Sequence, residues 1–193
     1  MQLKFGFYAR SSRAEAVYIP AGSKIFNFNV QQRSSSGSGA WLVGPDFWVI
    51  GGNDINIPAY TCTINNADQT VTMPTVMAAD LRSQGAGQYP DATAFNLNLD
   101  CTEGTKISGT FSSTTMAGTT DVLVNTKTGN DSIGVQIKYD DSLTPVVMGE
   151  SFNLIDYSDA SQTLPFNAYY YYNGGAVAGG RISSIATFTL TYY

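Results

Sequence analysis

The stretch LPFNAYYYY, residues 164–172, carries the clearest fold signal in the chain. Every second residue, counted from its leucine, is apolar or aromatic, and this period-2 pattern predicts a β-strand with one face toward a core. Tyr170 and Tyr172 fall on that core face. Tyr169 and Tyr171 fall on the opposite face, so the four tyrosines do not form one sugar-stacking platform.

The same alternation recurs along the chain in short runs bounded by Gly, Pro, Asn and Asp. These runs lie at residues 3–7, 26–30, 95–99, 133–137 and 186–192. Helix signals are weak, and the best candidate is the short segment 76–83. Many short strands at such spacing predict an all-β protein, either a sandwich or a barrel.

The composition excludes several classes of function. Of the 193 residues, 43% are hydrophobic and only 13% are charged, and the net charge is −5. This charge argues against electrostatic attraction to nucleic acid. The chain has no histidine, which removes His-based catalytic triads and most zinc sites. We therefore predict a protein that is not an enzyme and that uses no metal or cofactor.

The N-terminal residues and the overall composition give different indications about location. No apolar run is long enough for a transmembrane helix, and residues 1–12 lack the apolar core of a secretory signal. The composition is nevertheless typical of a secreted protein, rich in Ser, Thr, Asn, Gly and Tyr. We interpret the chain as beginning inside a longer precursor.

Two punctuated segments divide the first third of the chain. Residues 31–40, QQRSSSGSGA, are interpreted as a loop, and residues 51–59, GGNDINIPA, as an interdomain linker. The alternative for the second segment is a loop within one continuous sandwich. Trp41 and Trp48 lie between the two segments, and we interpret them as packing residues rather than as sugar platforms.

From about residue 60 onward, a series of motifs resembles the pilin domain of chaperone–usher fimbrial subunits. In chain order these are Cys62, QTVTMPTV at 69–76, FNLNLDC at 95–101, DSIGVQIKYDD at 131–141, LPFNAYYYY at 164–172 and AGGRISSIATFTLTYY at 178–193. The fourth is similar to the family's GVGI-x-I-x-D strand. The last is similar to its terminal A-T-F-x-(V/L/I)-x-Y motif. Gly180 keeps the family's offset of a glycine twelve residues before the terminal-motif tyrosine.

The resemblance implies an incomplete immunoglobulin-like β-sandwich, a pilin domain that lacks its last strand. The missing strand would leave a groove with unpaired backbone groups and exposed apolar core. The C-terminal strand is expected at one edge of this groove, and a strand at residues 69–76 at the other. The expected residues of the groove and of chaperone binding are Val71, Met73, Gly180, Ala186, Phe188, Leu190, Tyr192 and Tyr193.

The resemblance also implies a disulfide between Cys62 and Cys101, since the second cysteine closes the disulfide of this family. Such a bond indicates an oxidising compartment, for example a bacterial periplasm. The alternative is two buried free thiols.

Residues 1–57 exceed what a simple pilin subunit carries before its first cysteine, and the arrangement resembles the two-domain fimbrial adhesins. We predict that residues 1–52 are remnant C-terminal strands of a lectin-like, receptor-binding β domain, 53–60 a linker and 61–193 the pilin domain. The resemblance then implies a fimbrial adhesin or subunit, joined to a pilus by donor-strand complementation, that supports bacterial adhesion to host receptors. The alternatives are an ordinary shaft or minor subunit with a long N-terminal segment, and a secreted carbohydrate-binding β-sandwich module.

The partners implied by the resemblance are a periplasmic fimbrial chaperone, a neighbouring pilus subunit that donates a strand, and an outer-membrane usher. A host glycan is the candidate ligand of the N-terminal domain. The implied location is the fimbrium at the bacterial cell surface, reached through the periplasm.

Overall fold

A computed structural model describes residues 15–33, 39–140 and 142–192. The described residues form two compact units, one within Arg13–Ala59 and one within Tyr60–Tyr193. We call these the N-terminal unit and the C-terminal unit. The strand expected at residues 3–7 and the expected groove residue Tyr193 lie outside the described residues.

The N-terminal unit contains two separate strand pairs, both antiparallel. Strand β1 (Val17–Ile19) pairs with β4 (Ile55–Ile57), and β2 (Lys24–Gln32) pairs with β3 (Leu42–Ile50). Strand β4 lies inside the segment 53–60, which the sequence predicts to be a linker. Three residues of that segment are therefore ordered by backbone pairing with β1.

The side chains of this unit are poorly buried. Trp41 and Trp48 are 56% and 47% exposed, so neither is enclosed in a core, in contrast to the packing role expected for them. The ammonium group of Lys24 lies 4.6 Å from the ring centroid of Trp48, and the rings of Phe28 and Phe47 stack at 5.5 Å. The pair β2–β3 is thus joined by its backbone ladder and by surface contacts of this kind.

The C-terminal unit is built from two antiparallel sheets and one short helix. The first sheet has five strands in the order β5-β6-β11-β9-β8, and the second has three in the order β10-β7-β12. Their bounds are β5 Cys62–Ile64, β6 Gly87–Cys101, β7 Ile107–Ser112, β8 Val122–Leu123, β9 Ile133–Tyr139, β10 Ser151–Ile155, β11 Ser161–Tyr172 and β12 Thr187–Tyr192. The all-β fold expected from the alternating runs is confirmed.

The two sheets enclose the core because each strand turns alternate residues inward. On β11, Leu164, Phe166 and Ala168 are at most 4% exposed. Phe166 pairs with Phe95 of β6, and their rings stack at 5.4 Å. The buried core residues are Leu97, Leu99, Ile107, Phe111, Leu123, Ile137, Val146, Leu154, Leu164 and Phe166.

The disulfide between Cys62 and Cys101 is present. The two cysteines are directly opposite each other in the pairing of β5 with β6, with their Cα atoms 4.1 Å apart. The bond fastens the short strand β5, whose ladder has three residue pairs, to β6 of the larger sheet.

The helix α1 (Ala78–Gln84) has ends within two residues of those predicted for segment 76–83. It buries Leu81 against Tyr170, Tyr172 and Ile133. No helix within the described residues is long and apolar enough to cross a membrane.

Residues 69–76, expected as a strand, have no strand conformation. A strand needs a partner for its backbone groups, and residues 69–73 make no backbone hydrogen bond to any residue that the structure describes. The side chains still alternate, since Val71 and Met73 are half-buried while Thr72 is exposed.

Candidate functional site

A cleft of about 740 Å³, with an apolar floor and partly polar rims, opens between the two sheets of the C-terminal unit. Its floor consists of side chains from β5, β6, β7, β8, β9 and β11. One side is residues 182–188, which we call the β12 wall, and the other is residues 67–73, which we call the opposite wall.

The floor of the cleft is part of the hydrophobic core. Its apolar residues include Leu97, Phe111, Leu123, Ile137, Ala168 and Tyr170, all at most 9% exposed. The cleft therefore reaches the core of the unit. Among the described residues that line it, Asp68 alone carries a charged side chain, and the floor fits apolar side chains best.

The β12 wall presents an open sheet edge. Strand β12 pairs with β7 on one side, and among the described residues no strand pairs with its other side. On β12, Phe188 points into the cleft, with its ring 4.8 Å from that of Phe111 and 6.1 Å from that of Phe166. Within the part of the chain that the structure describes, this edge therefore offers unpaired backbone donors and acceptors beside apolar side chains, which is what an added strand requires.

A close approach of two strands sets the position of Phe188. A Cβ atom added at Gly109 of β7 would lie 2.6 Å from the Phe188 ring and 2.9 Å from a methyl carbon of Leu154. The ring of Phe188 thus lies directly over the Gly109 backbone, and only glycine leaves it room.

The variant Gly109→Ala is expected to displace Phe188 and to lower the free energy of unfolding of the C-terminal unit by about 1–3 kcal/mol, the usual cost of overpacking. Urea unfolding of the full chain measures this. The control is Gly179→Ala, whose added Cβ meets nothing within 4 Å. Equal stability of the two variants would show that Phe188 does not depend on Gly109.

Tyr170 fixes the chain directly after the opposite wall, at Pro74. Its hydroxyl donates a hydrogen bond of 3.0 Å to the carbonyl oxygen of Pro74, while its ring lines the cleft. Burial raises the pKa of Tyr170 above its ordinary value of 10.0. The phenol therefore stays neutral, and remains a donor, throughout the physiological range.

The variant Tyr170→Phe is expected to cost about 1 kcal/mol of stability at neutral pH through loss of that hydrogen bond. Because the folded-state pKa is raised, the stability from the neutral phenol is fully present below pH 10 and is lost as the pH rises through the raised pKa. In the variant, the free energy of unfolding should therefore fall less than in the wild type as the pH rises above 10. Urea unfolding at several pH values measures this. Tyr171→Phe, on the other face of β11, is the control. If Tyr170→Phe loses as much stability above pH 10 as the wild type does, Tyr170 is not the group that titrates.

The structure brings together some of the sequence-predicted site residues. Val71, Met73, Ala186 and Phe188 all line the cleft. Leu190 and Tyr192 lie farther along β12, half-buried on the same face as Phe188 but outside the cleft lining.

Gly180 lies outside the cleft lining as well. An added Cβ there would lie 3.0 Å from the side-chain nitrogen of Asn130.

Several lining residues were missed by the sequence analysis. Phe111 and Leu123 belong to strands that its alternating runs did not include, and Ile182 and Ile185 precede β12 in irregular chain. The segment ISSIA, residues 182–186, gives no strand signal that could have found these two isoleucines, because Ser184 interrupts the period-2 phase of β12 and Ile185 falls on the opposite phase.

Within residues 15–33, 39–140 and 142–192, no three side chains of the His, Cys, Asp and Glu type lie close enough together to hold an ion.

Comparison with known proteins places the chain among fimbrial proteins. A family model described as "Fimbrial protein" matches residues 54–193. The chain is 30% identical over 169 residues to a fimbria adhesin protein of Klebsiella pneumoniae, covering 77% of this chain and 51% of that protein. It is 25% identical over 185 residues to the type 1 fimbrin D-mannose specific adhesin of Escherichia coli K12, covering 94% of this chain and 55% of that protein. The chain thus spans about half the length of these two relatives.

Among solved structures, the rod subunit of the P pilus is similar in fold. It superimposes with a TM-score of 0.55 at 21% identity, covering 68% of this chain and 99% of the rod subunit. The likeness shows that the C-terminal unit has the fold of a pilin.

Proposed function

Because the chain belongs to the fimbrial protein family, we propose that its C-terminal unit is an incomplete immunoglobulin-like sandwich completed by a β-strand from another chain. A periplasmic chaperone supplies this strand first. The extension of a neighbouring pilus subunit then replaces it, which joins the protein to the pilus at the bacterial surface.

One observation carries this proposal: a cleft that reaches the hydrophobic core opens directly beside an edge of β12 that pairs with no strand among residues 15–33, 39–140 and 142–192. Both features are unfavourable in water. Each Å² of apolar surface that stays exposed forgoes about 25 cal/mol of stabilising free energy, and unpaired backbone groups offer a template for aggregation. An added strand removes both costs, since it pairs with β12 and fills the cleft with side chains.

The geometry also defines the chemistry of the occupant. Side chains of an extended strand alternate, so one set points to the floor and the other to solvent. The floor is apolar between Leu97, Phe111 and Ile137. The occupant is therefore an extended segment with an apolar residue at every second position and no proline where β12 needs a donor.

For the whole protein we propose a fimbrial adhesin. In this account residues 61–193 are the pilin domain, and residues 1–52 are the last strands of a lectin-like receptor-binding domain. The similarity to two adhesins that extends over 77% and 94% of the chain supports this assignment, as do the exposed apolar residues of the N-terminal unit. An outer-membrane usher and a host glycan are the further partners of this proposal.

Co-purification tests the function. The full chain would be secreted to the periplasm with and without a tagged chaperone from a type 1 fimbrial system. We expect an equimolar complex, and little soluble chain when the chaperone is absent. A soluble, monomeric, thermostable chain that binds neither this chaperone nor one from a P pilus system would overturn the proposal in favour of a closed, free-standing binding module.

A further inference from the structure

Two buried asparagines lie behind the β12 wall. Asn125, at 6% exposure, follows β8, and Asn130, at 2% exposure, precedes β9. A buried amide side chain is costly unless its donors and acceptor are all paired. The partners of these two side chains therefore show what the buried positions do.

Asn125 connects its own loop to the β12 wall. Its Oδ1 atom accepts hydrogen bonds from the backbone N–H of Ser183 at 2.9 Å and of Lys127 at 3.1 Å. Its Nδ2 atom donates to the carbonyl oxygens of Lys127 at 3.1 Å and of Asn130 at 3.3 Å. One side chain thus makes four hydrogen bonds and fixes Ser183, which lines the cleft.

Asn130 holds the chain just before that point. Its Oδ1 atom accepts a hydrogen bond of 2.9 Å from the backbone N–H of Ala178. Gly180 packs so close to the Asn130 amide that a Cβ atom there would be only 3.0 Å away. This contact gives Gly180 a steric role.

Further hydrogen bonds join the same two segments. The backbone N–H and the hydroxyl of Thr126 both donate to the carbonyl oxygen of Ser183, at 2.7 and 3.0 Å. The hydroxyl of Ser184 donates to the carbonyl oxygen of Val124 at 2.9 Å. Residues 178–184 have no strand conformation, so these bonds replace the ladder that would otherwise order them.

We propose that Asn125 and Asn130 are positioning residues that hold residues 178–184 and so preform the β12 wall before a strand enters the cleft. The proposal rests on the strand-binding function described above. A wall that is already ordered costs no conformational entropy at the moment of binding. Loss of the anchor leaves the wall free to open around a bound strand, so the complex dissociates faster and the apparent affinity falls.

Two measurements on the full chain test this. The first is the dissociation rate of the type 1 chaperone from its purified complex. The second is amide hydrogen exchange at Ala178 and Ser183, recorded on whichever form is soluble, the complex or the chain alone. The variants are Asn125→Ala and the milder Ser184→Ala, which removes one hydroxyl. The matched control is Ser158→Ala, because Ser158 is fully buried and bonds to Thr102 and Thr105 at the disulfide end of the unit.

In Asn125→Ala we expect exchange at residues 178–184 and chaperone dissociation both to accelerate by about tenfold, the equivalent of one buried hydrogen-bonded group. Ser184→Ala should move both in the same direction by a smaller factor. Ser158→Ala should leave both within about twofold while raising exchange near Thr105. If the Asn125 and Ser158 variants have equal effects on the dissociation rate, Asn125 contributes only to overall stability, and the proposal is overturned.

The hydrogen-exchange measurement separates failure of this inference from failure of the function. If the wild-type chain binds no chaperone, the strand-binding function fails, and the exchange at residues 178–184 still reports whether the two asparagines hold the wall. If the complex forms but Asn125→Ala leaves exchange at Ser183 unchanged, the anchoring role alone is overturned.

Discussion

Replacing both cysteines, Cys62→Ser with Cys101→Ser, is expected to lower the free energy of unfolding of the C-terminal unit by about 4 kcal/mol. The bond spans 39 residues of sequence, and in the chain-entropy model a loop of this length removes that much freedom from the unfolded chain. Since small domains are stable by only about 5–15 kcal/mol, the loss is a large share of the total.

Urea unfolding of the oxidised wild type, the reduced wild type and the double variant measures this loss. The reduced wild type should match the double variant. Thr63→Ala is the control, since Thr63 lies beside Cys62 on β5 with its side chain exposed. A difference below about 1 kcal/mol between oxidised and double-variant chains would mean that β5 is held by its three ladder pairs and not by the disulfide.

The second large effect is expected at Phe188. The variant Phe188→Ala removes a ring that contacts Phe111 and Phe166 and lines the cleft. We expect a loss of about 3 kcal/mol, at the lower end for a buried phenylalanine because Phe188 is only half-buried. Strand binding should weaken as well, because the occupant packs on the same ring.

Chaperone affinity and stability measured on the same variant separate these two contributions. Thr189→Ala is the control, because Thr189 is the next residue of β12 and its side chain is exposed on the opposite face. We expect Phe188→Ala to yield little chaperone complex and Thr189→Ala to yield a normal amount. A normal yield from Phe188→Ala would show that this ring belongs to the fold and not to the binding site.

The long strands of the C-terminal unit could be predicted because a strand buried on one face alternates apolar and polar residues along the sequence. The run Phe95 to Leu99 and the run Leu164 to Tyr172 each alternate with period 2, and both form long central strands. Tyr170 and Tyr172 are buried, as the alternation predicted. Positions on a core face can be read in this way without knowledge of the partner strand.

The walls of the cleft could not be predicted to the same extent, because they depend on partners distant in the chain. Residues 69–76 alternate as a strand does, yet no backbone partner is available to them among the described residues. Asn125 and Asn130 stand in NTKTGN, a sequence typical of an exposed turn. Only the folded chain reveals that both are buried against residues 178–183. The pairing of β4 with β1 likewise joins residues 36 to 40 positions apart.

The most direct test of an incomplete sandwich is residue-level amide hydrogen exchange of β12, recorded on the full chain bound to the type 1 chaperone. On an edge strand, alternate amides point to β7 and away from it. We predict that both sets are protected in the complex. When the chaperone is released, the set that points away from β7 should lose its protection first. If that set is protected equally in a chaperone-free, soluble chain, β12 already has a partner on both sides, and the cleft is not the place of a missing strand.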